Sequence, residues 1–326
     1  MATPDVELQA PPTDGVSCLR FGSRTLLASS WDASLRVYEG ARLRATLDLA
    51  APVLSCCYGQ SDSEAFAGGL NCAVQQVDVQ TRQVTKIGTH EAAVRHVGYA
   101  RELGLALSGG WDGRVKVFDV RHGANAQIHE LQLPGKVFGM DVRGHMVAAV
   151  TSTREVAVYD LRHLAEPLVR KESPLKYQMR CVRLFPDLSG FALASVEGRV
   201  ALEYLQEKEK RNYAFKCHRG NVDGQTLIYP VNCIAFHPTY GTFATGGCDG
   251  VVNLWDGANK KRITHLRQYP TSIAAMDFNQ DGSVLAIAAS YTYEQGEKEY
   301  VSHPNDAIFL HTVQDSDVRP KKKAVA

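Results

Sequence analysis

The sequence predicts an all-β protein, a seven-bladed β-propeller, on three observations: a short strand–turn–strand unit recurs, its spacing is regular, and an apolar strand precedes each copy. The unit stands clearest in SSWDASLRVYE (29–39), GGWDGRVKVFD (109–119) and GGCDGVVNLWD (246–256). In each, a strand ends in small residues, a tight turn follows at Asp, and an alternating Val/Leu strand closes on an aromatic and an acid. Weaker copies are GGLNCAVQQVD (68–78), VTSTREVAVYD (150–160) and ASVEGRVALEY (194–204). The copies end at 39, 78, 119, 160, 204 and 256, so the intervals are 39, 41, 41, 44 and 52 residues. A period of about 40 with this pattern is that of WD-repeat propeller blades, four strands to a blade.

The innermost strands are expected at Val16–Phe21, Val53–Tyr58, Val94–Tyr99, Val137–Val142, Cys181–Phe185, Val231–Phe236 and Ile273–Phe278. Each alternates apolar residues with period two. This set supplies the seventh blade, which continues through 283–293 and 307–313. The polar stretch 294–306 between them reads as a mobile loop, and 206–226 as an insertion that lengthens the last interval. An open ring would leave bare strand edges. The leader Val6–Gln9 alternates and is expected to add the outer strand of the last blade. Residues 1–318 then form one propeller. Residues 319–326 form a basic, disordered tail whose RPKKK run reads either as a nuclear-import signal or as a solvated end.

Composition narrows the function. Net charge is +1, which argues against a general nucleic-acid or membrane affinity. No stretch approaches the roughly 20 apolar residues that span a bilayer, and the N-terminus has no signal-peptide pattern. The eight cysteines are scattered without CxxC spacing, which fits a reduced cytosolic or nuclear setting. Enzyme motifs such as GxxxxGK[ST], GxSxG and HExxH are absent, and the histidines form no spaced metal pairs. Neither a catalytic residue, a metal nor a cofactor is expected.

Asp32, Asp112 and Asp249 occupy the turn between the second and third strands. There a carboxylate can accept from nearby N–H groups and from a His in the preceding loop, such as His90, so a structural role is expected. The position before that Asp holds Trp31 and Trp111 among smaller residues. These turns share one face around the channel mouth, where exposed aromatics serve as binding anchors, or else pack on neighbouring loops. The third tryptophan, Trp255, is expected to be buried. Arg180 in the loop KYQMR, Arg199 after the Glu197-Gly198 turn, and Lys216 and Arg219 in FKCHR open toward the same rim. They are expected to converge into a set of donors for carboxylate or phosphate, the alternative being surface ion pairs with Glu197 and Glu203.

The segments SSWDASLRVY, GGWDGRVKVFDVR, SPLKYQMRCVRLFP, SVEGRVALEY, YAFKCHR, YPVNCIAFHP, NKKR, YPTSIAAMDF and LAIAASYTYE run nearly the length of the chain. Together they resemble the spindle-assembly-checkpoint WD-repeat family, that of the third protein named for budding uninhibited by benzimidazole. A cousin, the RNA-export WD-repeat protein of the nuclear pore, shares GRVA and FKCHR. KYQ, NKKR and YPTSIA favour the checkpoint member. The resemblance implies a non-enzymatic adaptor. It would hold the checkpoint kinase and a related pseudokinase-like protein through a short acidic motif on its top face. It would bring them to kinetochores by reading phosphothreonine Met-Glu-Leu-Thr repeats on a phosphorylated scaffold. By that resemblance the acidic-motif residues are Arg180, Lys216, Arg219, Trp31 and Trp111, and the phosphate reader is Arg199. Residues 220–226 and 294–306 diverge, so no contact is carried over there. The implied location is the nucleus and kinetochore with a cytoplasmic pool, without membrane or direct nucleic-acid binding. The rival functions are an mRNA-export adaptor at nuclear pores and, more remotely, a substrate receptor for a ubiquitin ligase.

Overall fold

A computed structural model describes residues 4–206, 212–296 and 304–320, with backbone alone at 123–125. Its strands form seven four-stranded antiparallel sheets and one two-stranded hairpin. Six sheets take their strands in chain order. The first, for example, is Val16–Phe21, Leu26–Ser30, Ser34–Glu39 and Arg42–Asp48. The seventh takes Ile273–Phe278, Val284–Ala289 and Ala307–Thr312, then Val6–Glu7 from the other end of the chain. Val6 pairs with Leu310 and Glu7 with Phe309, so the N-terminal strand closes the ring, two residues long where four were expected.

The core lies between blades rather than within them. Seven apolar clusters occupy the seven interfaces of neighbouring blades. Each sheet therefore buries both faces. That is why the second strands, such as Leu105–Gly110 and Met146–Thr151, are buried at every residue and lack polar alternation. It also explains the small residues ending those strands. A Cβ on Gly109 would stand 2.9 Å from Val137 Cγ1, and one on Gly246 2.5 Å from Ile273 Cγ2, both on the next blade's inner strand.

Two expectations need correction. Arg180 lies in a strand, Met179–Leu184, rather than in a loop, because the ladder to the second strand begins at Met179↔Ser195. The 206–226 segment is not simply an insertion. Tyr213–Lys216 is the outer strand of the fifth blade, paired with Arg199–Leu202. Only the hairpin Arg219–Val222/Gln225–Ile228 is added. Residues 207–211 near the start of the 206–226 segment, 297–303 within 294–306, and 321–326 of the tail lie outside the described residues.

Candidate functional site

The site starts from one irregularity repeated seven times. In every inner strand the register to its neighbour shifts at the second residue, between Val16/Cys18, Val53/Ser55, Val94/His96, Val137/Gly139, Met179/Cys181, Val231/Cys233 and Ile273/Ala275. A bulge re-aims the extra residue. The seven bulged residues, Ser17, Leu54, Arg95, Phe138, Arg180, Asn232 and Ala274, all line one cavity of about 660 Å³ at the upper mouth of the axial channel. Each second-to-third strand turn is tied to this face by the same hydrogen bond. Trp31 N–H donates to Gly15 O at 3.0 Å, Trp111 to Ala93 O at 2.9 Å, and Val196 to Gln178 O at 3.0 Å. Trp31 and Trp111 thereby reach the cavity wall, where they are joined by Tyr291 and Tyr293.

Two arginines face this mouth without a carboxylate. Arg180 Nη1 donates to Asn232 Oδ1 at 2.8 Å, and Arg95 Nη1 donates to the Leu54 carbonyl at 3.1 Å. The one acid on the wall, Asp14, accepts the Gly15 N–H at 2.7 Å and forms no ion pair with either among the described residues. Burial and the neighbouring Arg180 charge both lower the Arg95 pKa. A guanidinium stays charged, so the two arginines give the mouth a positive potential that favours an incoming anion. The aromatics add apolar surface. Trp31 is 43% exposed. Trp111 is half-buried, its Nε1 shielded from solvent without an acceptor, with Lys136 Nζ 5.9 Å from its ring.

The remaining basic residues form a second group further out on the fifth blade. Arg199 stands opposite Lys216 across paired strands. Its Nε is 3.5 Å from Glu197 Oε1, while Arg219 Nη2 donates to the Glu197 carbonyl at 3.0 Å. The Nε atoms of both arginines are shielded and lack a hydrogen-bond partner. Lys216 is exposed. None of the three lines the mouth cavity. The four basic residues thus fall into two places: Arg180 with the tryptophans, and Arg199, Lys216 and Arg219 around Glu197.

The turn aspartates are fully engaged. Asp112 lies 2.9 Å from His90 Nδ1 and accepts from Glu91 and Arg114 N–H, while His90 Nε2 is 2.7 Å from Ser108 Oγ. Asp249 repeats this with His218 at 2.9 Å and Thr245, whose Oγ1 also accepts from Trp255 Nε1. Asp32 has no His. It accepts from Thr13 N–H, from Ser34 N–H and hydroxyl, and from Arg36. Trp255 is half-buried instead of buried, because it packs on Phe215 at 4.6 Å near the outer edge of its blade.

Sequence reading missed Arg95, Tyr291, Tyr293 and His218. Aligning the seven inner strands would have exposed Arg95, which occupies the same second position as Arg180. His218 was hidden in FKCHR, counted there for its charge, because the added hairpin separates it from Asp249.

Comparison with known proteins followed the same lines. The WD domain, G-beta repeat family matches residues 81–119 and 212–256, which contain the two complete His–Asp networks. The chain is 45% identical to "Mitotic checkpoint protein BUB3.1" of Arabidopsis thaliana, covering 97% of this chain and 95% of that one. It is 42% identical to "Mitotic checkpoint protein bub3" of Dictyostelium discoideum, with 97% of each covered. It is 33% identical to "Poly(A)+ RNA export protein" of Schizosaccharomyces pombe, covering 98% and 93%. A solved structure, "Structure of U3-55K", superposes with a TM-score of 0.82 over 95% of this chain and 98% of that one at 16% identity, which speaks to the fold alone. The chain belongs to the BUB3 family of WD-repeat proteins, with the export proteins as more distant kin.

Proposed function

We propose that this BUB3-family propeller is a non-enzymatic adaptor of the spindle-assembly checkpoint. It acts in the nucleus and at kinetochores, with a cytoplasmic pool, and binds an acidic segment of checkpoint kinases and their pseudokinase-like relative across its upper mouth. The observation that carries this reading is the pairing of two uncompensated arginines, Arg95 and Arg180, with Trp31 and Trp111 around one cavity. Glutamate carboxylates of an extended segment would take the place of the Asn232 and Leu54 acceptors, and its apolar residues would lie on the indole rings. A segment of this kind could cover the mouth without any covalent chemistry, consistent with an adaptor.

The Glu197 group is proposed as the reader of phosphothreonine in the kinetochore scaffold. The Nε atoms of Arg199 and Arg219 are shielded and make no hydrogen bond. A phosphate carries about −1.5 to −2 charge at pH 7 and can accept forked pairs. Swinging the Glu197 side chain aside would free the Arg199 guanidinium for it, while Arg219, held to the Glu197 carbonyl through one Nη, keeps its other donors, and Lys216 adds charge from the opposed strand.

The 33% identity to an RNA-export protein favours one competing reading, an export adaptor at nuclear pores. Imaging of the tagged chain in cells with unattached chromosomes separates the two. The checkpoint reading predicts collection at kinetochores, lost in Arg199→Glu, whereas Arg180→Glu should reach kinetochores without bringing the checkpoint kinase. Accumulation at the nuclear rim with none at kinetochores would favour export.

A further inference from the structure

The channel has a second mouth, at the opposite end of the axis from the tryptophans. A cavity of about 230 Å³ opens there, lined by Arg20, Arg101, Arg143 and Arg183 and by Asp141 and Asp277. The two carboxylates are committed. Asp277 lies 3.7 Å from Arg20 and accepts the Phe21 N–H at 2.8 Å. Asp141 accepts from Arg183 Nη1 at 2.9 Å and from the Leu184 N–H at 2.8 Å. Arg20 and Arg183 are therefore matched one to one.

The other two arginines are not. Arg101 follows the inner strand Val94–Ala100 of the third blade, and Arg143 ends the inner strand Val137–Arg143 of the fourth. These strands are neighbours across one blade interface, which sets both side chains on the same sector of the rim. Arg101 Nη2 donates only to the Gly59 carbonyl, at 3.3 Å. Arg143 is half-buried, and its side chain makes no hydrogen bond or ion pair among the described residues. Glu102, the acid beside Arg101, forms no ion pair with either among the described residues. Two guanidiniums are thus left without an ion pair in a concave mouth whose two lining acids are engaged, with Glu102 near Gly144 at its edge. Such a site concentrates anions, because low-dielectric walls focus the field outward.

We propose that this lower mouth is a second anion site, built to take a dianionic phosphate group between Arg101 and Arg143. Among the lining residues four arginines face two aspartates, a difference that a dianion matches and a single carboxylate does not. Two guanidinium forks offer the parallel donors that phosphate oxygens accept. The cavity exceeds the volume of the phosphate itself and leaves room for the group that bears it. Because this mouth faces away from Trp31 and Trp111, it stays open when the upper mouth is covered. The propeller can then hold a phosphorylated ligand and an acidic segment together.

Calorimetry at low ionic strength tests the site with two probes, inorganic pyrophosphate and the peptide Gly-Gly-phosphoserine-Gly-Gly. They are titrated into the wild-type chain and into Arg143→Ala, Arg101→Ala and Arg199→Ala. The proposal expects saturable binding of at least one probe with a component that survives in Arg199→Ala, which removes the proposed upper-face reader, and that Arg143→Ala and Arg101→Ala each weaken about tenfold or more. Tighter binding of the peptide than of pyrophosphate identifies a phosphoprotein as the source; the reverse order identifies a free phosphate compound. Absence of saturable binding, equal affinity in wild type and both lower-mouth variants, or loss confined to Arg199→Ala would overturn it. The last outcome would assign the phosphate to the upper face instead.

Discussion

Asp32 and Asp112 hold the same turn by different means, and the difference sets how each responds to acid. Asp112 relies on a buried His90, whose Nδ1–H donates to the carboxylate while Nε2 accepts from Ser108. Burial lowers the His90 pKa more than Asp112 raises it, so the imidazole stays neutral in the fold. At Asp32 burial works to raise the pKa. The hydrogen bonds from the Ser34 hydroxyl and from Thr13 and Ser34 N–H outweigh it, holding the carboxyl at about 2. A carboxylate depressed in this way stabilises the fold above its ordinary value, and the gain disappears as pH falls from about 4 to about 2. Asp32→Asn should therefore lose about 2 kcal/mol at pH 7. The gap between variant and wild type should narrow as pH falls below about 4 and close near pH 2, read from urea midpoints. A gap independent of pH would refute this account of the turn. The aspartates and tryptophans were legible in the sequence because the repeat fixes their place. Arg95 was not, because nothing in an apolar-alternating strand marks the second residue as bulged toward the mouth, and arginines such as Arg20 and Arg183, at the fifth position of theirs, face the other end of the channel.

At the scale of elements, the ring depends on its shortest strand. Val6–Glu7 adds two residues to the last blade, but the residues around it bind harder than the ladder does. Leu8 is buried between the last and first blades. Asp5 accepts from Tyr269 OH at 2.7 Å, from Arg267 Nε at 2.9 Å and from His311 Nδ1 at 2.7 Å. Burying one Leu contributes roughly 1.5–3 kcal/mol, and each charge-assisted bond adds about 1.5–3 kcal/mol. Deleting residues 1–12 should lower the melting temperature of the whole propeller and promote aggregation through the bared edge, rather than fray one end. An unchanged melting temperature would contradict the closure role. The strand pattern predicted the leader's position from alternation alone. It could not foresee Asp5, whose partners come from blades six and seven, more than 250 residues away. The outer strand Tyr213–Lys216 was obscured for a similar reason: its four residues sit beside a charged run and a hairpin, without the apolar run that marks inner strands.

At the scale of the molecule, seven interblade cores make a rigid ring, and seven bulges turn its inner wall into a functional surface. Each bulge offers one side chain to the upper mouth. Two of the seven are arginines without a carboxylate, and two tryptophans stand on the rim above them. The fold follows from the repeat. The site follows from which residues happen to occupy one strand position, information spread thinly over the whole chain. The central claim is that this mouth binds an acidic segment through Arg95 and Arg180 together. Calorimetry with the acidic-motif peptide of a checkpoint kinase tests it most directly, on the wild-type chain, Arg180→Glu and Arg95→Glu, with folding checked by circular dichroism. The account predicts saturable binding to the wild type and a loss of about 2–5 kcal/mol in each variant. Unchanged affinity in a normally folded Arg180→Glu or Arg95→Glu protein would contradict it.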